Sequence, residues 1–451
     1  MTTQYPLLIG FGGHTETDAA TREAGAGRMA DTGTASTAST PGAAHGADGA
    51  DGARSGGPGG FAGRPALNRR LDGLGTTIFA EMSALAVSTG AINLGQGFPD
   101  TDGPESVREA AVRALRDGRG NQYPPGTGVP ELRHAVTAHQ QRFYGLDFDP
   151  DTEVLVTAGA TEAIAAAMLA LLEPGDEVIA FEPFYDSYAA CIAMAGAVRV
   201  PLTLHAPDFR PDLDALRAAV TPRTRLLLLN SPHNPTGMVL TADELAAIAA
   251  LAVERDLLVV TDEVYEHITF DGAPHLPLVA LPGMRDRTVS ISSAGKTFSF
   301  TGWKVGWVTG SRELVAAVRT AKQFLTYVAS GPFQYAVAEA LALPDPYYTA
   351  LRDDLQAKRD LLADGLTAAG FEVYRPRGTY FITTDIARLA PGTDALTFCR
   401  ALPEKCGVVA VPNSVFYDHP TAGRTQVRFA FCKRQDVLTG AAERLRKAVA
   451  Y

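Results

Sequence analysis

Residues 290–307, SISSAGKTFSFTGWKVGW, put two lysines, Lys296 and Lys304, into a segment rich in Ser, Thr and Gly. A lysine amine among hydroxyls and short loops suits covalent chemistry on a carbonyl beside a bound anion. A nucleotide-binding P-loop competes with that reading, because Ala294, Gly295, Lys296 and Thr297 end like one. That motif needs a glycine five residues before Gly295, and Ser290 stands there. The P-loop reading fails.

The elements around this segment say where such groups would meet. The runs TEVLVT, DEVIAFEP, RTRLLLLNSP, RDLLVVTDEVY and RTVSISS are short, β-branched or leucine-rich, and end in Gly, Pro, Asn or Ser. Helical patterns such as ATEAIAAAMLALLE and ADELAAIAALAVER lie between them. Strands apolar on both faces and alternating with helices predict an α/β fold with a mostly parallel sheet covered on both sides. Ligands of such sheets sit at the carboxyl ends of the strands. After Leu343 a long helical stretch leads to GTYFITTDI, VVAVPNSVF and QVRFAFCK, which predicts a smaller α+β domain. The expected organisation is an extension over 1–66, an arm and part of the small domain over 67–104, a large domain over 105–343 and the small domain over 344–451. Residues 12–63 are mostly Gly, Ala, Thr, Ser and Asp. They cannot bury enough apolar surface to offset their ordering entropy, so disorder is expected there. The Gly-rich stretch at Leu8 lacks the strand and helix that a binding loop needs.

Polar punctuation falls at the predicted strand ends. Gly159, Ala160 and Thr161 open a helix, Tyr185 follows a second strand, and Asn230 and Asn234 follow a third. Asp262 and Tyr265 end a fourth, and Ser293 to Lys304 a fifth. These groups match the needs of pyridoxal phosphate. That cofactor takes a lysine for covalent attachment and a carboxylate for its ring nitrogen. Its phosphate suits a helix N-terminus of small residues, where backbone N–H groups and the dipole meet an anion. Other readings of single residues stand beside this one. Asp262 could be a cap, Asn230 and Asn234 turn formers, and Arg428 a solvent-facing residue of an alternating strand. Lys304 could exchange roles with Lys296, although the order S-x-x-K, with the second lysine eight residues on, favours Lys296.

From about Asn68 to Ala450 the chain resembles the fold-type I, class I aminotransferases. It is most similar to the subgroup of kynurenine, glutamine and methionine aminotransferases and bacterial N-succinyldiaminopimelate aminotransferases. LDGLGTTIFAEMSALA, INLGQGFPD, NQYPPGTG, EPFYDSY, NSPHNPTG, TDEVYEH, SAGKTFSFTGWKVGW and VRFAFCK occur in family order. The resemblance implies that Lys296 holds the cofactor and moves the substrate proton, and that Asp262 pairs with the ring nitrogen. It gives Asn234 and Tyr265 the ring hydroxyl and Tyr185 the ring face. Gly159, Ala160, Thr161, Ser293 and Lys304 would bind the phosphate, with Tyr123 reaching over from a second subunit. Arg428 would grip the substrate α-carboxylate as a bidentate fork, helped by Asn234, Asn230 and the Gly97 backbone. The implied assembly is a homodimer with shared sites, and the implied reaction a ping-pong transamination. N-succinyl-LL-2,6-diaminopimelate with 2-oxoglutarate is the leading substrate expectation. Methionine, glutamine or kynurenine transamination, or β-elimination from cysteine conjugates, are the alternatives. Phe79 stands where kynurenine aminotransferases carry a tryptophan, which leaves the side-chain preference open.

Composition excludes other classes. A net charge of -10 and a pI near 5.4 argue against a general nucleic-acid binder. Cys191, Cys399, Cys406 and Cys432 form no C-x-x-C pair and suit a reducing cytoplasm. No apolar run reaches membrane-spanning length, and no export signal is read at the N-terminus. His233 and His267 stand near the motifs, but no paired His, Cys or carboxylate spacing suggests a metal. Tyr188 and Tyr335 read as packing residues.

Overall fold

A computed structural model of the chain describes residues 67–75 and 77–448, which belong to one compact unit. The extension expected over 1–66 lies outside the described residues. Among them the strands are β1 (Ile92–Asn93), β2 (Val154–Thr157), β3 (Glu177–Glu182), β4 (Val198–Thr203), β5 (Thr224–Asn230), β6 (Leu258–Asp262) and β7 (Thr288–Ser293). They continue with β8 (Gly306–Gly310), β9 (Glu372–Tyr374), β10 (Phe381–Asp385), β11 (Val408–Val409), β12 (Val411–Pro412) and β13 (Gln426–Ala430).

Seven of these form one sheet in the order β2-β8-β7-β6-β5-β3-β4. Every neighbouring pair is parallel except those made by β8, which runs against both β2 and β7. The leucine run of β5 shows why this sheet is covered on both faces. Leu226 and Leu228 pack with Leu155, Val260, Ile291 and the helix Gly159–Leu171. Their alternates Leu227 and Leu229 pack with Ile179, Val259 and the helix Ala242–Glu254. Each fully buried leucine is worth roughly 1.5–3 kcal/mol, so neither face can be left to water. A carboxylate in place of Leu228 would be stranded without a partner.

The five predicted strands are all present, and two more join them. β4 carries Pro201 and lies at the sheet edge, where a residue without an N–H is tolerated. β8 begins and ends in glycine, so it reads as loop although it is fully buried. Its antiparallel course matters. Gly306, its first residue, pairs with Ser293 and Thr157, the last residues of β7 and β2. A Cβ on Gly306 would lie 2.7 Å from the Gly159 carbonyl carbon, so only glycine permits that approach.

The remaining strands lie in a four-stranded antiparallel sheet, β12-β13-β10-β9, and a short parallel pair of β1 and β11. The long helix expected after Leu343 is Asp345–Ala368, and it places Leu362 and Leu366 in a core with Phe371, Ile382 and Phe429. In this sheet Arg428 of β13 sits opposite Thr383 and Val411. No helix among the described residues is long and apolar enough to cross a membrane.

Candidate active site

Every candidate residue except Tyr123 lines one cavity of about 330 Å³ where the parallel strands end. That volume is at the lower end of small-molecule sites. From the N-terminal segments come Phe79 and Gly97, and from the end of β2 come Gly159, Ala160 and Thr161. Tyr185 follows β3, Asn230 and Asn234 follow β5, and Asp262 and Tyr265 follow β6. Ser293, Lys296 and Lys304 lie between β7 and β8, and Arg428 comes from β13.

One end of the cavity is shaped for an anion. Gly159 opens its helix at φ +77, and a Cβ there would meet Lys304 Cε and Nζ at 3.3 Å. Lys304 Nζ stands 3.5 Å from Thr161 Oγ1. Ser293, the last residue of β7, stands at the N-cap position of the short helix Ala294–Thr297, its hydroxyl making no cap bond. A helix start, two hydroxyls and an ammonium therefore converge, which is the donor set a phosphate takes.

The middle of the cavity carries the two opposite ionisable groups. Asp262 is buried, and its Oδ2 accepts a hydrogen bond from Tyr188 Oη at 2.6 Å. Burial pushes its carboxyl up, against the pull of Tyr188, the Val264 N–H and Lys296. No Lys or Arg bonds it as a salt bridge among the described residues. A buried carboxylate in that state fits a cationic ring nitrogen. Lys296 Nζ lies 5.8 Å from the Tyr265 ring centroid and 5.7 Å from that of Tyr380. Burial lowers its amine below the ordinary lysine range, opposed by Cys432 and Asp262 and assisted by Lys304 and Arg428. Its neighbour in the wall, Tyr185, is pushed up to about 12, chiefly by burial, so it presents a neutral phenol ring.

The other end is shaped for a carboxylate. Arg428 is 2% exposed and packs its guanidinium over Phe381 at 4.0 Å, Phe416 at 5.0 Å and Phe79 at 5.2 Å. Nη1 donates to Asn234 Oδ1 at 2.9 Å and Nη2 to the Gly95 carbonyl at 3.2 Å, while the buried Nε has no partner. Burial brings the guanidinium down to about 10. The guanidinium lines the cavity and keeps unused donor capacity, which suits an anion there. Asn230 lines the same wall, yet its amide is engaged at both ends. Nδ2 donates to the Asp262 carbonyl at 2.8 Å and Oδ1 accepts from the Asn234 backbone at 2.7 Å. It holds the two residues in register. A Cβ on Gly97 would strike Phe381 at 2.4 Å, and its carbonyl accepts from Tyr380 Oη at 2.6 Å.

Tyr123 stands apart, 82% exposed, with its ring 5.7 Å from that of Tyr327. Tyr188 corrects the expectation of a mere packing residue, because its hydroxyl meets Asp262. The spacing that gave it away is Tyr185-x-x-Tyr188, which puts both rings on one side of a helix start. Phe381 and Tyr380 went unread because they sit in an ordinary alternating strand. The metal argument from spacing also missed a cluster: His139, Glu266 and His267 lie together, the first from a segment remote in sequence.

Comparison with known proteins agrees with this arrangement. The model of the family "Aminotransferase class I and II" matches residues 89–445. The chain is 57% identical over 387 residues to the probable N-succinyldiaminopimelate aminotransferase DapC of Mycobacterium tuberculosis, covering 83% of this chain and 97% of that protein. It is 42% identical over 378 residues to the methionine aminotransferase of Escherichia coli, covering 84% and 97%. The solved structure of N-succinyldiaminopimelate aminotransferase from Mycobacterium tuberculosis superposes with a TM-score of 0.83, over 85% of this chain and all of the other.

Proposed function

The chain belongs to the class I and II aminotransferase family, and on that premise we propose that it moves an amino group between N-succinyl-LL-2,6-diaminopimelate and 2-oxoglutarate. It is a pyridoxal phosphate-dependent transaminase of fold type I. The observation that carries the donor assignment is 57% identity across nearly the whole of a relative that bears this name. Such an enzyme would serve the synthesis of lysine and diaminopimelate.

When bound, the cofactor supplies an electron-accepting ring. The chain's own residues do the rest. In this reading Lys296 holds the cofactor, and its freed amine takes the proton from the substrate α-carbon. Its lowered affinity for protons favours the neutral amine, the form that can act as a base. Asp262 keeps the ring nitrogen protonated, held in place by Tyr188. Tyr265 and the Asn234 amide would hold the ring hydroxyl, and Tyr185 would cover the ring face. Gly159, Ala160, Thr161, Ser293 and Lys304 bind the phosphate, and Arg428 binds the substrate α-carboxylate.

The proposal extends to a homodimer in the cytoplasm, with a large domain over 105–343 and a small one over 344–451. An aromatic residue as exposed as Tyr123 is supported as a contact with a second copy. Mixing inactive Tyr123→Ala and Lys296→Ala variants would restore activity if sites are shared, and would not if each chain works alone. For the donor, a screen with 2-oxoglutarate as acceptor should give the highest kcat/KM with N-succinyl-LL-2,6-diaminopimelate. A higher value with methionine or kynurenine would reassign the donor. Pyruvate and ammonia released without an acceptor would mark β-elimination instead.

A further inference from the structure

Behind the cavity wall lies a buried polar network that the reaction as described does not use. It starts on the turn that follows β6. Asp262 and Tyr265 of that turn line the cavity, whereas Glu263 and Glu266 do not. Glu266 is 5% exposed. Its Oε2 accepts from Tyr144 Oη at 2.7 Å, at the end of the helix Pro130–Tyr144, and its Oε1 accepts from Ser292 Oγ on β7. The turn itself is closed by the Glu266 N–H donating to the Glu263 carbonyl at 2.9 Å. Beside it, the Nε2 atoms of His139 and His267 lie 2.7 Å apart.

This group does not have the geometry of a metal site. Two imidazole nitrogens on one tetrahedral zinc, each at about 2.0–2.1 Å, must lie about 3.3 Å apart. A separation of 2.7 Å is that of a shared proton, and both Glu266 oxygens already hold a hydroxyl donor. Burial pushes the Glu266 carboxyl up, while the imidazoles of His139, His267 and His275 and the Ser292 hydroxyl draw it down, and the net direction is downward. A buried carboxylate without Lys or Arg costs several kcal/mol unless its hydrogen bonds are complete. That makes its geometry stiff.

We propose that Glu266 is a positioning residue: by clamping Ser292 of β7 and Tyr144 of the neighbouring helix, it fixes Tyr265 and Ser293, the residues adjacent in sequence, where they meet the cofactor. One tie spans two strand ends. Tyr265 precedes Glu266, and Ser293 follows Ser292. A hydroxyl moved by a few tenths of an ångström would therefore misalign both the ring hydroxyl contact and one wall of the phosphate cup. The inference rests on the roles given to Tyr265 and Ser293 above, and wild-type cofactor binding tests those roles separately.

The test compares Glu266→Ala, Glu266→Gln and Tyr144→Phe in the full chain. Cofactor affinity of each apoprotein, kcat and KM of each saturated holoenzyme, and the pH at which the bound cofactor's visible band changes are measured. Groups that face Glu266 and bear on that titration are His139, His267 and His275, with Glu263, Tyr348 and Arg142 further out. Glu266→Ala should weaken cofactor binding and lower kcat about tenfold each, the order expected for losing hydrogen bonds to a charged acceptor. KM should stay within about twofold, and the band's titration should move. Glu266→Gln retains one acceptor oxygen and should recover to within about threefold of wild type, with Tyr144→Phe between the two. Normal affinity, kcat and titration in Glu266→Ala would overturn the proposal. If that variant does not fold, wild-type behaviour of Tyr144→Phe together with loss in Glu266→Gln would overturn it. Zinc copurifying at one per chain, with its removal reducing activity, would replace it with a metal site.

Discussion

Asp262 and Tyr265 meet the cavity from the turn after β6, while Glu263 and Glu266 of the same turn are buried on its far side. On the far side both carboxylates hold hydroxyl donors, although His139 Nδ1 and His275 Nδ1 are left without a partner. Glu263 accepts from Thr261 Oγ1 at 2.7 Å, and Glu266 accepts from Tyr144 and Ser292. On the cavity side the ledger is open: among the described residues Asp262 and Lys296 form no salt bridge and Arg428 Nε has no hydrogen-bond partner. Two pairs of residues, each three apart on the same turn, thus face opposite demands. The satisfied carboxylates read as scaffold, and the charged groups left without partners along the cavity wall as ligand contacts.

Substitutions on the open side should break the reaction outright, and those linking the two sides should only blunt it. The largest effect is expected from Lys296→Ala, which removes both attachment and the proton carrier. Its turnover should fall by about four orders of magnitude or more in a coupled transamination assay. Asp262→Asn keeps the shape and removes the charge, so kcat should drop about 10²–10³-fold with a smaller change in KM. Near-normal turnover there would show that the buried carboxylate belongs to the scaffold after all.

Arg428→Lys keeps a positive charge and loses the planar fork. KM for the amino acid should rise about 10- to 100-fold, with kcat changing less. A loss confined to kcat would move Arg428 out of substrate binding. Tyr188→Phe is the mildest, because it removes one hydrogen bond from Asp262 and leaves the ring in place. The hydroxyl holds the Asp262 carboxyl down against burial, so without it the carboxyl protonates at higher pH. Activity that needs ionised Asp262 should then fail at higher pH on the acid side, with kcat about three- to tenfold lower at neutral pH. An unmoved acid limb would show that Asp262 is not the group that sets it.

Much of the open side was legible in the chain itself. Asp262 ends a β-rich run and Asn234 and Lys296 closely follow two others, and a strand end in a parallel sheet is where ligands bind. Arg428 was readable only through resemblance, since its strand alternates like any other. The far side left almost no trace. Glu266 and His267 sit in a motif, but His139 is 128 residues away on a helix whose many polar residues do not single it out. β8 hid for a different reason: its terminal glycines, required by close packing against Gly159 at one end and the Thr288 carbonyl at the other, look like loop residues.

Both lysines of the 290–307 segment line the cavity, so the central claim turns on which of them carries the cofactor. Borohydride reduction of the coloured holoenzyme followed by peptide mass mapping decides it. The account predicts one cofactor adduct per chain, on Lys296, with Lys304 unmodified. An adduct on Lys304, or none on either lysine in an active enzyme, would contradict it.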